Sequence, residues 1–194
     1  MRKVIMLNRV SVDGYFASLN DATFGMDWFV QDSEVDKAVR AGDKGDVDTL
    51  ILGGITYRGF ERSWVPVLND LNAPKEMKAV AEELTKMTKV VFSKQLKEVT
   101  WENTKLYDGN LAEVVRKLKD GEGSDILIMG SGTIVQQLTN EGLIDEYLFI
   151  VTPVVAGEGK PLFKDVKERN LKLLETREFR SGNVLLHYKT DYKR

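Results

Sequence analysis

Two stretches of this chain share one order: a short apolar run, two closely spaced glycines, then apolar residues at helical spacing. The first is DTLILGGITYRGF, which starts at Asp48, and the second is SDILIMGSGTIVQQL, which starts at Ser124. A short apolar run followed by glycines and a helical period is typical of a buried strand, a tight turn and a helix. The repetition predicts an α/β protein with a mainly parallel sheet covered by helices.

The rest of the chain extends this alternation. The two stretches contribute predicted strands at residues 50–52 and 126–129. Further strands are predicted at Val4–Val10 and at residues 89–93 and 145–155. Helices are predicted at 32–42 (capped by Asp32 or Ser33 and ended by Gly42), around Tyr57, Phe60 and Trp64 up to Pro66, and at 74–87, 111–118 and 133–140. Residues 11–25 and 157–163 are predicted loops. Residues 171–189 read as an antiparallel hairpin that turns at Ser181-Gly182-Asn183.

The composition limits the classes of function. The 194 residues fit a single domain over 1–194, and 28 Lys and Arg against 30 Asp and Glu leave a net charge of -2. No basic field therefore attracts nucleic acid or anionic lipid. The chain has no cysteine and one histidine, His187, which argues against disulfides and zinc motifs, so no metal is expected. No apolar run is long enough for a membrane span, and we expect a cytoplasmic protein.

The glycine turns indicate an anionic ligand. Ligands of open α/β sheets bind beyond the carboxyl ends of the strands, glycine permits close backbone approach, and helix N-termini attract phosphate. We predict that two such turns hold one pyrophosphate from opposite sides, with a threonine hydroxyl that caps the helix or donates to phosphate. The candidate ligand-binding residues are Gly53, Gly54, Thr56, Ser93, Lys94, Gly130, Ser131, Gly132 and Thr133.

These turns differ from two familiar phosphate-binding motifs. A dinucleotide fingerprint requires a third glycine where Val135 stands, and the Gly-Lys-Ser/Thr of a nucleotide-triphosphatase loop is absent. The simpler interpretation, that both are tight strand-to-helix turns without a ligand, stays open from the residues alone.

Several quoted segments resemble the dihydrofolate-reductase-like superfamily. They are SVDGYFA, DTLILGGITYRGFE, KVVFSK and, as the most specific, DILIMGSGTIVQQLTNEGLIDEYLFIVTPVVAGEGKPLF. Within it, the chain looks most like the reductase domain of the bifunctional riboflavin-biosynthesis deaminase/reductase and its stand-alone relatives. The similarity extends from Lys3 to about Tyr188.

The resemblance implies a three-layer dihydrofolate-reductase-like fold and an NADPH-dependent reductase of a pyrimidine- or pteridine-like heterocycle, usually a homodimer. By that likeness the turns at Gly53 and Gly130 hold the cofactor phosphates. Ser93 and Lys94 lie near the adenosine ribose, where a cation favours a 2′-phosphate. Asp13, in the family's Ser-x-Asp-Gly loop, faces substrate and nicotinamide.

Two positions depart from the family pattern. Gly54 stands where dihydrofolate reductases often carry a basic residue, which leaves Lys94 and Arg58 to select NADP. The riboflavin reductases follow their second strand with an acidic, proline-containing stretch that ends in arginine, whereas this chain has RGFERSWVPV. The second departure leaves a phosphoribosyl substrate open. It also keeps open a non-catalytic nucleotide-binding module of the same fold. A dihydrofolate reductase is a further, less favoured alternative, because the proline-flanked tryptophan and acid of that family are not reproduced around Trp28.

A reductase of this class needs a proton source beside the nicotinamide. Asp13, Glu34 and Asp36 are the candidate catalytic residues, and the sequence does not decide between the last two. Each has a plainer role: the two helix acids complement the helix dipole, and Asp13 precedes a turn glycine. Trp28 and Phe29, beside the long loop, are candidates to stack on a flat substrate, or they are core residues.

Overall fold

The computed structural model describes residues 1–39 and 46–191. Its strands are β1 Val4–Val10, β2 Tyr15–Ala17, β3 Val47–Gly53, β4 Thr88–Phe92, β5 Thr104–Tyr107, β6 Asp125–Met129, β7 Glu146–Val151, β8 Lys160–Pro161, β9 Leu171–Glu178 and β10 Val184–Thr190. Its α-helices are α1 Ser33–Ala38, α2 Gly54–Asn69, α3 Lys75–Lys86, α4 Leu111–Asp120 and α5 Gly132–Asn140. The predicted end of α1 at Gly42 lies outside the described residues.

Eight of these strands form one central sheet in the order β5-β4-β3-β6-β1-β7-β10-β9. The five neighbouring pairs from β5 to β7 are parallel, and β10 is antiparallel to both β7 and β9. This arrangement confirms the predicted α/β fold, with a mainly parallel sheet and an antiparallel C-terminal hairpin.

Helices cover both faces of the sheet because its central strands are apolar on both sides. On β1, Val4 and Met6 pack into one buried cluster, which includes Val115 of α4 and Val135 of α5. Ile5 and Leu7, which alternate with them, pack into a second cluster with Val35, Tyr57 and Leu84 from α1, α2 and α3. The two clusters make three layers, as expected for strands that are buried on both faces.

The two predicted loops contain structure that the sequence pattern did not indicate. Residues 11–25 include β2 and a 3-10 turn at Asp21–Thr23, and β2 pairs with β8 from the loop at 157–163. β5 was also not predicted. Elements of two to four residues are too short to show a strand period, and β2 and β8 are defined by their partner rather than by their own sequence.

The prediction that Pro66 ends a helix was wrong. α2 continues through Pro66 to Asn69, since Val67 and Leu68 beyond the proline stay partly buried. A proline removes one helical hydrogen bond, and burial of the following turn offsets that loss here. α2 is the longest described helix, with 16 residues, and none of the helices in the described ranges has the length and apolarity that a bilayer crossing requires.

Candidate functional site

The two glycine turns lie side by side because β3 and β6 are neighbours in the sheet. A Cβ placed on Gly53 would lie 2.4 Å from Ser131 Oγ, and one placed on Gly130 would lie 2.9 Å from Thr56 Oγ1. Such distances leave no space for a larger residue at either glycine. The predicted convergence of the two turns is therefore present in the structure.

The second turn has a strained backbone. Gly130 and Ser131 both have left-handed conformations, with φ of 67° and 56°. Asn8 on the adjacent strand β1 accepts a hydrogen bond from the Gly130 N–H at 3.2 Å. Left-handed non-glycine residues are uncommon and concentrate at functional sites, so Ser131 marks this turn as more than a simple connection.

Neither helix that starts at the turns has a side-chain cap. The N-cap residues are Gly53 for α2 and Ser131 for α5, and no side-chain hydrogen bond caps either helix. Thr56 and Thr133 lie within the first helical turns and are not N-caps, which corrects one of the two roles predicted for their hydroxyls. The N–H groups and the positive dipole ends of α2 and α5 therefore face one cleft.

Ser93 and Lys94 follow β4 on the other side of the first turn. A Cβ on Gly54 would lie 2.7 Å from Ser93 Oγ, so this strand end also approaches the glycines closely. The Ser93 hydroxyl accepts hydrogen bonds from the backbone of Gln95 and Leu96, which fixes its own loop. Lys94 is exposed and lines the cleft.

A cleft of about 1460 Å³ begins at these turns and extends along β1 to α1 and α3. Ordinary small-molecule pockets have roughly 300–1,000 Å³, so this cleft exceeds that range. A second part of the lining, the Arg9 end, consists of Leu7, Arg9, Phe29, Gln31, Asp36, Phe60, Trp64, Met77 and Val80.

Arg9 and Asp36 form an ion pair at that second end. Arg9 Nη2 donates to Asp36 Oδ1 at 2.7 Å, and the side chains are 14% and 50% exposed. Arg9 Nη1 is buried and has no hydrogen-bond partner. The sequence analysis missed Arg9, although a charged residue on the same strand face as Ile5 and Leu7 was a usable signal.

The three predicted carboxylates have different positions. Asp36 lines the cleft, whereas Glu34 and Asp13 do not. Glu34 is exposed in the first turn of α1, where its N–H donates to the N-cap Asp32 at 2.8 Å.

Asp13 secures a loop instead of facing the cleft. Its two carboxylate oxygens accept hydrogen bonds from the N–H groups of Ala156 and Gly157 at 3.0 and 2.8 Å. Hydrogen bonds from the Ser11 hydroxyl and from these backbone groups lower the pKa of Asp13 to about 2. The structure therefore does not bring Asp13 to the position that the family resemblance implied.

The two aromatic residues that were predicted to stack on a substrate also have different positions. Phe29 is buried and lines the cleft, while Trp28 packs on it with ring centroids 4.5 Å apart and lies outside the cleft lining. Phe60 and Trp64, which the helical period assigned to a buried face, line the cleft in addition to packing against the core.

A helix-covered parallel sheet that ends in two contacting glycine turns, with an antiparallel hairpin at its C-terminus, defines the dihydrofolate-reductase-like class of α/β proteins. Within that class the chain belongs to the RibD C-terminal domain family, whose model matches residues 2–185.

Relatives and solved structures are similar to nearly the whole of this chain. Two Bacillus subtilis (strain 168) proteins, YyaP and YwjB, both described as uncharacterized, are 32% and 31% identical over 189 and 194 residues; the matches cover 96% of this chain and 94% and 97% of theirs. A pyrimidine reductase-like protein of Corynebacterium diphtheriae superposes with a TM-score of 0.67 at 14% identity, with 99% of this chain and 93% of that one covered.

A Thermotoga maritima protein superposes over part of its length. It is a diaminohydroxyphosphoribosylaminopyrimidine deaminase/5-amino-6-(5-phosphoribosylamino)uracil reductase, matched with a TM-score of 0.64 at 15% identity over 98% of this chain and 57% of that chain. At these identities the two structures support the fold.

Proposed function

We propose that this chain is an NADPH-dependent reductase of a small pyrimidine- or pteridine-like heterocycle. The observation that carries the proposal is the contact between two glycine turns whose uncapped helices, α2 and α5, open into one cleft. Membership of the RibD C-terminal domain family supports the same reaction class.

The residues of the turns fit a pyrophosphate. Free N–H groups at two helix starts attract phosphate oxygens, and the glycines allow the ligand to approach the backbone. In this proposal Gly53, Gly54 and Thr56 hold the cofactor from one side and Gly130 to Thr133 from the other. Lys94 supplies a cation for the 2′-phosphate from the exposed end of β4.

The bound nicotinamide supplies the hydride, and the chain supplies position and surroundings. Phe29, Phe60 and Trp64 provide flat apolar surface for a heterocycle and keep water from it. Of the three predicted carboxylates we retain Asp36 as the candidate to hold or relay a proton, since it alone among them lines the cleft.

The test is a titration with NADPH followed by cofactor fluorescence. Thr133 is exposed at the start of α5, so Thr133→Trp blocks the turn without disturbing the core. We expect at least a tenfold weaker affinity, because about 1.4 kcal/mol of lost interaction corresponds to that factor. Thr176→Trp, at an exposed position of β9, is the matched control and leaves binding unchanged.

Turnover separates reductase from binding module. Loss of nicotinamide absorbance with dihydrofolate or with pyrimidine and pterin compounds supports a reductase, and binding without turnover of any of them supports the non-catalytic module. Absence of NADPH binding overturns both. The homodimer implied by the family resemblance stays a prediction, and light scattering that gives a monomer mass contradicts it.

A further inference from the structure

The guanidinium of Arg9 is the one part of the described cleft that has a buried donor with nothing to bind. Its Nη2 pairs with Asp36, while Nη1 is buried without a partner. A buried N–H that lacks an acceptor costs about 1–3 kcal/mol, and more for a charged group. A ligand that supplies the missing acceptor therefore removes this free-energy cost when it binds.

The strand pattern places Arg9 in the cleft. It shares a face of β1 with Ile5 and Leu7, whose side chains lie in the apolar core, and it pairs in register with Ile150 of β7. Arginine in such surroundings is rare unless it is paired, and Asp36 satisfies only one of its two terminal nitrogens.

The ion pair also indicates the charge of the ligand. Asp36 is paired with Arg9, so an oxyanion bound here would lie beside a carboxylate. A neutral ring with a carbonyl oxygen next to an N–H fits better. The carbonyl oxygen accepts from the guanidinium, and the N–H faces the carboxylate side. The flat apolar surfaces of Phe29, Phe60 and Trp64 line the same end of the cleft and favour a planar ring.

We propose that Arg9 is a substrate-recognition residue that donates to a carbonyl oxygen of a neutral planar heterocycle, with Asp36 as the residue that positions the guanidinium. This inference rests on the proposed function, since it names the class of molecule that would lie beside the nicotinamide.

The experiment compares two bicyclic probes by isothermal titration calorimetry. Quinazolinedione carries a carbonyl–NH–carbonyl edge, and quinazoline has the same two rings without a carbonyl. Each is titrated into the wild-type chain, Arg9→Met and the control Arg62→Met, which removes an exposed arginine of α2 outside the cleft lining. Thermal melting of each variant checks that it is folded, and Arg9→Lys keeps the charge if Arg9→Met does not fold.

We expect the wild type to bind quinazolinedione about tenfold more tightly than quinazoline, as a hydrogen bond to a charged donor allows. Arg9→Met removes this preference, Arg9→Lys reduces it, and Arg62→Met retains it. A loss of stability alone would weaken both probes equally, so the ratio reports recognition. Equal affinities in the wild type, no binding of either probe, or an unchanged preference in both folded Arg9 variants overturns the proposal.

The cofactor titration distinguishes the two failures. Arg9→Met is expected to bind NADPH with wild-type affinity, because the Arg9 guanidinium pairs with Asp36 of α1 and belongs to neither glycine turn. A wild-type chain that binds the rings selectively and does not bind NADPH contradicts the reductase and leaves the role of Arg9 standing. A wild-type chain that binds NADPH and does not bind the rings selectively contradicts the proposed role of Arg9 and leaves the reductase standing.

Discussion

The two ends of the cleft are built from different materials. At one end the contacts are made by backbone and by small residues, with a Cβ on Gly53 only 2.4 Å from Ser131 Oγ. At the other end, charged and aromatic side chains line the space, and the Arg9–Asp36 pair provides its polar groups. The first end excludes side chains, whereas the second depends on them.

This difference predicts how each end tolerates substitution. Backbone N–H groups recognise phosphate regardless of what it is attached to, so the glycine end suits a cofactor that is shared by many enzymes. Side chains carry the distinction between one small molecule and another, so on the proposed function the Arg9 end would determine the substrate. Enlarging a glycine therefore affects cofactor binding, and changing the ion pair affects the choice of ring.

The largest expected effect comes from Gly53→Val. The new side chain overlaps Ser131 and pushes the two turns apart, and we expect NADPH affinity to fall about a hundredfold and unfolding free energy to fall by about 1–3 kcal/mol. Fluorescence titration and urea unfolding measure the two quantities.

The matched control is Gly121→Val at the end of α4. A Cβ there makes only ordinary contacts at 3.5 Å, and the position lies outside the cleft lining. If Gly53→Val and Gly121→Val bind NADPH equally well, the close contact between the turns has no part in cofactor binding.

A smaller effect is expected from Lys94→Gln. Lys94 is exposed, so its attraction to a 2′-phosphate is partly screened by solvent, and we expect about a fivefold loss of NADPH affinity with no change for NADH. Repeating the titrations at high salt should reduce the difference. Lys97→Gln, exposed and outside the cleft lining, serves as control; an equal loss for both nicotinamides would refute a role in NADP selection.

Asp36→Asn tests the other end with a still smaller change. The side chain is half exposed, so loss of its ion pair with Arg9 should cost less than about 1 kcal/mol of stability. Calorimetry should show quinazolinedione bound two- to fivefold more weakly, since the guanidinium is less well oriented, while NADPH binding is unchanged. Weaker NADPH binding would mean that the two ends are not independent.

The sequence predicted the helices and strands whose own residues show the apolar pattern of that element. The strands from β1 to β7 that contain long apolar runs, the amphipathic α3 and the hairpin were all indicated by local spacing. The hairpin turns at Gly182, which has a φ of 84° as its glycine requires. By contrast β2 and β8 depend on each other across more than 140 residues, and no local pattern indicates a pair of that kind.

The site followed the same rule. The glycine turns were recognisable because each is a continuous segment, and the neighbouring positions of β3 and β6 brought them together. The Arg9–Asp36 pair joins β1 to α1, and its proposed role depends on which face of β1 borders the cleft. His187 has no carboxylate beside it in the sequence, yet Glu146 of β7 lies 3.0 Å from its Nε2.

The smallest expected effect concerns Asp13, which lies outside both ends of the cleft. Its pKa of about 2, below the ordinary aspartate value of 3.8, means that the folded state favours the ionised form. The stability from this group is therefore fully present above pH 3.8 and is lost as the pH falls toward about 2. Asp13→Asn should lower the melting temperature slightly at neutral pH, with the difference from wild type disappearing across that acid range.

Asp120→Asn, at the exposed end of α4, controls for the change in net charge. Because Asp13 holds the backbone of Ala156 and Gly157 and does not line the cleft, Asp13→Asn should leave both NADPH affinity and the preference between the two probe rings at wild-type values. A tenfold loss of either would indicate that Asp13 acts at the reacting end of the cleft. The contrast between an end built from backbone and an end built by Arg9 and its neighbours would then have to include Asp13.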